Sequence, residues 1–107
     1  MNDTVPSTAI AAETRWQTAN PARYMAQLCK HFAHRLAVTL NEKDGVIDFG
    51  SGRCLLQAED EALAMRIETG SEADLVRLQS VVLSHLQRFA FREMTEADMA
   101  GITWVKA

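Results

Sequence analysis

The chain has 107 residues, 14 acidic and 11 basic side chains for a net charge of −3, and 48% hydrophobic residues. That length supports one hydrophobic core and not two. The acidic balance argues against a nucleic-acid protein, whose footprint is a basic patch or stripe. No apolar run approaches the roughly 20 residues of a membrane span. The opening MNDTVPSTAI has neither the basic n-region nor the apolar h-region of a secretory leader. A cytoplasmic location without membrane attachment is therefore expected, and there the thiols of Cys29 and Cys54 would stay reduced.

Residues 1–8 are polar and aperiodic and read as a flexible terminus, leaving 9–107 as a single domain. AIAAETRWQ alternates as a half-buried strand, with Ile10, Ala12, Thr14 and Trp16 on one side. A helix follows, with Asn20 as N-cap and Pro21 at the first position. Met25, Leu28, Cys29, Phe32 and Leu36 form its apolar stripe. Tyr24, His31 and Arg35 share one flank of that stripe, Cys29 takes the other, and His34 turns towards solvent.

Four short strands come next. Val38 and Leu40 point inward, Asp44–Gly45 signals a hairpin, and Gly50-Ser51-Gly52 marks a second tight turn. Cys54, Leu56 and Ala58 alternate in the third strand of this run, as do Leu63, Met65 and Ile67 in the fourth. Ser71 and Asp74 form a capping-box pattern at the start of a second helix. Its stripe is Leu75, Leu78, Val82, Leu86 and Phe89, and His85, Arg88 and Arg92 lie together on one flank. EMTEADMAG (93–101) is acidic and less regular, and ITWVK reads as a sixth short strand or an extended tail, with Trp104 as its anchor. The fold class is α+β with the order β-α-β-β-β-β-α(-β): a two-layer sandwich of an antiparallel sheet with two helices on one face. That order resembles TATA-binding-protein-like and helix-grip arrangements, which host unrelated functions.

QLCKHFAHRL, GRCLL and SHLQRFAFRE occur in this order along the chain. They resemble the bacterial domain of unknown function family 2218, over about residue 9 to Trp104. Members of that family are also found joined to, or encoded beside, flavin-dependent siderophore-interacting reductases. The resemblance therefore implies such a reductase as a partner and a link to iron–siderophore metabolism.

Three kinds of site can be weighed from the residues. A metal site would use His31, His34 and His85, because imidazoles at i and i+3 are neighbours on a helix. HxxH lacks the glutamate that makes HExxH a catalytic motif, and nearby carboxylates to orient the rings are missing from both helices. A ligand site would use Tyr24, His31 and Arg35 with His85, Arg88 and Arg92, as a cationic groove for a carboxylate or phosphate. Against it, the same arginines are expected to pair with Glu93, Glu96 or Asp98. A Cys29–His31 nucleophile is excluded by about 160° of separation on the helical wheel. No GxSxG, P-loop or GxGxxG is present, and no cofactor is named by the residues. Val76, Leu83 and Phe91, off the main stripe of the second helix, are the expected surface for homodimerisation or for docking on a reductase. The sequence thus reads as a non-catalytic binding or accessory domain, with a small metal-binding protein or metalloenzyme as the alternative.

Overall fold

A computed structural model describes residues 10–107. The terminus expected at residues 1–8, and the domain boundary at residue 9, lie outside the described residues.

Alternation builds the sheet. Strands β1 (Ile10–Gln17), β2 (Ala37–Leu40), β3 (Asp44–Asp48), β4 (Gly52–Ala58), β5 (Ala62–Thr69) and β6 (Val105–Lys106) form one antiparallel sheet in the order β2-β3-β4-β5-β1-β6. The register places Ala12, Thr14 and Trp16 opposite Ile67, Met65 and Leu63. It likewise sets Cys54 and Leu56 opposite Ile67 and Met65. These positions share one face, and helices α1 (Pro21–Phe32) and α2 (Glu72–Phe89) cover it. Burial follows the expected pattern in the helices and central strands, where Leu63, Ile67, Cys54, Leu28, Leu78, Val82 and Leu86 are all fully buried, but Leu40 of the edge strand β2, expected to point inward, is exposed. Fully burying one such side chain contributes about 1.5–3 kcal/mol.

The opposite face is a charge ladder. Arg53 Nε donates to Glu68 at 2.6 Å and Arg66 Nε to the same carboxylate at 2.7 Å, while Arg66 also reaches Glu13. Arg15 pairs with Glu59 at 2.7 Å. Burial alone would raise the Glu68 carboxyl, but hydrogen bonds from Arg66 and Arg53 outweigh it and hold Glu68 below the usual range.

Several local expectations change. The β2–β3 turn lies at Asn41–Asp44, its central pair Glu42-Lys43 two positions ahead of the Asp-Gly pair, with Asn41 N–H donating to the Asp44 carbonyl at 2.8 Å. Gly45 belongs to β3 and has no positive φ; it is small because a Cβ there would stand 2.7 Å from Cys29 Sγ. Gly50, at φ 83°, is the glycine whose turn needs the left-handed region. Asn20 makes no side-chain cap bond; its amide leans towards Glu93, and Pro21 alone marks the start of α1. Residues expected to be less regular contain a third helix, α3 (Glu96–Gly101), started by a full capping box between Thr95 and Asp98. Of ITWVK only Val105–Lys106 is strand, pairing with β1 at Glu13 and Ala12, while residues 102–104 lead up to it without regular structure. No helix among the described residues is long and apolar enough to cross a membrane.

Candidate functional site

Tyr24 at the start of α1 lies beside Glu93, just beyond α2, and His31 at the end of α1 lies beside His85 within α2. The two helices therefore run antiparallel. This brings His31 and His85 together with ring centroids 5.0 Å apart, tilted by 43°. Phe32 and Phe89 complete an aromatic knot: His31 lies 5.6 Å from Phe89, and Phe32 lies 4.9 Å from His85. His85 Nδ1 is 2.7 Å from the carbonyl of Val81, one turn earlier. A carbonyl only accepts, so Nδ1 carries a hydrogen.

Beside this pair is an open cleft of about 360 Å³. Its apolar lining comes from Phe32, Leu36, Phe49 and Val81; its polar lining comes from His31, His34 and Arg35. The cleft exists because α1 stops at Phe32 rather than running on to Leu36. Ala33 and Leu36 N–H groups still reach back to Cys29 and Phe32 carbonyls, at 2.9 Å each, and the chain then enters β2 at once. His34 and Arg35 thus project from a turn at the helix C-terminus, where positive charge complements the helix dipole.

Local charge is of one sign. Desolvation first, then His85, His34 and Arg88, hold the His31 ring below its ordinary pKa. Arg35, Arg88 and Arg92 form no ion pair with a carboxylate of the described residues. Two of the three acids expected to pair with them are engaged elsewhere. Glu93 accepts from Tyr24 Oη, from Thr18 Oγ1 at 3.0 Å and from Asn20 Nδ2 at 3.5 Å, and Asp98 caps α3. The Tyr24 bond, ahead of the others, holds the Glu93 carboxyl below its usual range against a smaller desolvation effect.

A family model described as "Uncharacterized protein conserved in bacteria (DUF2218)" matches residues 13–100. The chain belongs to the DUF2218 family. A solved neighbour, the NMR structure of PA4090 from Pseudomonas aeruginosa, is 35% identical, with a TM-score of 0.73 over 90% of this chain and 95% of that one. No curated protein matches. The DUF2218 match spans both helices and every cleft residue, ending before the last strand.

In this DUF2218 domain the residues singled out by sequence divide. His31, Arg35 and His85 come together with Arg88 close by, and His34 shares the cleft. Tyr24 does not join them. It is 5% exposed, its ring packs 5.4 Å from Trp16, and its hydroxyl donates to Glu93. Arg92 lies beyond the end of α2, with its guanidinium 5.6 Å over the Phe91 ring. Among the described residues no group of three or more His, Cys, Asp or Glu side chains could hold a metal ion, so His31, His34 and His85 do not make a three-ligand set. Cys29 and Cys54 are fully buried free thiols in the core. Burial pushes the Cys29 thiol up to about 11 and raises Cys54 further, so neither is a nucleophile. Of the surface expected along the second helix, Val76 and Phe91 are exposed at 63% each, while Leu83 packs partly against the core.

Sequence reasoning missed the Thr18–Asn20–Tyr24–Glu93 cluster, since no spacing links these positions before the helices are known to be antiparallel. It also missed Phe49 and Val81 as cleft walls. A larger concavity, about 1170 Å³, lies on the uncovered sheet face and is bounded by α3. Its floor residues Glu13, Arg15, Glu59 and Arg66 neutralise one another.

Proposed function

We propose that this DUF2218 domain is a small, non-catalytic binding or accessory module whose binding site is the cleft beside the His31–His85 pair. One observation carries the reading: a mostly apolar hollow ringed by His31, His34 and Arg35, with Arg88 close by, and with no carboxylate among the described residues of its lining. Guanidinium and imidazole donors that no carboxylate of the described residues takes, over an apolar floor, suit an anionic group. The same positive surroundings disfavour a metal cation at His31 and His85, which makes the metal-binding alternative the weaker one. The family resemblance adds the wider setting: a cytoplasmic accessory role in iron–siderophore metabolism, beside a flavin-dependent siderophore reductase. Val76 and Phe91 supply exposed apolar contacts for that partner or for a second copy.

The test is an amide-resolved NMR titration with phosphate, acetate, benzoate and zinc in turn. Saturable shifts from at least one anion, centred on residues 31–36 and on His85, support the reading. Silence from every anion at the cleft, or stoichiometric zinc binding there, overturns it.

A further inference from the structure

The lining of the cleft says more than its charge. A binding hollow of about 360 Å³ is near the lower end of small-ligand sites, which run from roughly 300 to 1,000 Å³. Four of its walls are apolar, and two of them are phenyl rings: Phe32 and Phe49 meet edge to face with centroids 5.1 Å apart. An inorganic anion would satisfy the cations and leave those rings in water. An apolar ligand without charge would fill the floor and leave Arg35 without a partner. A ligand that answers both halves has a flat apolar body and one anionic head.

Resting on the cleft as the binding site, we propose that its ligand class is a single-ring arene carboxylate. The carboxylate is taken by the Arg35 guanidinium, whose planar fork matches two carboxylate oxygens. His31 and His34, which line the same hollow, supply further donors when protonated. The ring lies against Phe32 and Phe49 in the offset or edge-to-face geometry that aromatic pairs prefer. Leu36 and Val81 close the sides. Nothing in this scheme reacts: the ligand is held, and no bond forms or breaks.

Benzoate, benzamide, acetate and phosphate serve as probes, followed by NMR at residues 31–36, Phe49 and Val81 and by calorimetry. Benzamide keeps the ring and loses the charge, acetate keeps the carboxylate and loses the ring, and phosphate keeps charge alone. Benzoate is expected to bind at least about tenfold tighter than each of the three, a ratio equivalent to 1.4 kcal/mol. Arg35→Gln, a change at an exposed turn position, is expected to weaken benzoate about tenfold while leaving the spectrum folded. Acetate or phosphate matching benzoate overturns the ligand class while leaving the cleft as an anion site; benzamide matching benzoate overturns both the ligand class and the anion-site reading, because the charge then contributes nothing. Unchanged benzoate affinity in Arg35→Gln also overturns it. Silence from all four probes removes the cleft itself as the site.

Discussion

A methyl group at position 45 puts the packing of α1 on the sheet to a quantitative test. The Cβ of Gly45→Ala would stand 2.7 Å from Cys29 Sγ and 3.4 Å from the Thr39 carbonyl. The first distance requires movement, and Cys29 is fully buried, so its sulfur has no open space to turn into. Overpacking of this kind costs about 1–3 kcal/mol. Cys29→Ala alone removes a buried sulfur, which costs on the order of 1 kcal/mol in transfer with a cavity contribution besides. In the double variant the new methyl occupies the space that the sulfur left. The two changes should then cost less together than separately, with a favourable coupling of about 1–2 kcal/mol, within the range for residues in contact. Urea unfolding of the four proteins, followed by far-ultraviolet circular dichroism, gives the cycle. Additivity within about 0.5 kcal/mol would show that Gly45 is not small on account of Cys29, and the reasoning would fail.

Other consequences can be measured directly. Cys29, raised to about 11 by burial, and Cys54, raised further, should ignore a thiol reagent at pH 8 in the native protein and react fully in denaturant; native-state labelling of either would contradict their placement in the core. The His31 ring, lowered below 6.5 by desolvation and by His85, His34 and Arg88, takes up its proton more readily in the unfolded chain. Its stabilising contribution is therefore present above about pH 6.5 and is lost as pH falls from there through the folded value. His31→Gln should lose less stability than the wild type between pH 7.5 and 5.5 in urea titrations, and equal losses would refute the assignment. Tyr24→Phe removes a donor to Glu93, so the Glu93 carboxyl should titrate closer to its ordinary range, with faster amide exchange in residues 90–103. Exchange unchanged there would mean that this bond does not hold the segment after α2.

The strands were legible because Cys54, Leu56, Leu63, Met65 and Ile67 alternate without interruption, and period two leaves little choice of face. The apolar stripes of both helices were equally clear. Helix ends were not. Phe32 and Phe89 are followed by Ala33 and Ala90, with no glycine or proline to announce a stop. Wheel positions assigned beyond those points, for Arg35 and Arg92, therefore described a helix that is not there. The short helix α3 was missed although TEAD at 95–98 repeats the pattern of SEAD at 71–74, because no apolar stripe follows it. The side chain of Asp74 shows how loosely the pattern binds: it takes the Ser71 hydroxyl at 3.1 Å, whereas Asp98 closes the reciprocal box. For the cleft, the cationic residues could be listed but not their phenyl walls. Phe49 reaches it from the far end of β3, and only tertiary packing decides that.

The position of β1 has a consequence for the order in which the chain assembles. Strands β2 to β5 join through short turns and can pair as each is made. The first strand cannot. Its long partner is β5, so Trp16 and Ala12 wait until Thr69 has been made, and only the two-residue pairing with β6 waits for the end of the chain. Lys106 then reaches Glu72 at the start of α2, tying the last turn of synthesis to the middle of the chain. An intermediate lacking the C-terminus would hold the five strands β2-β3-β4-β5-β1, and the histidine cleft, built from α1, α2 and the end of β3, would form before β6 is added.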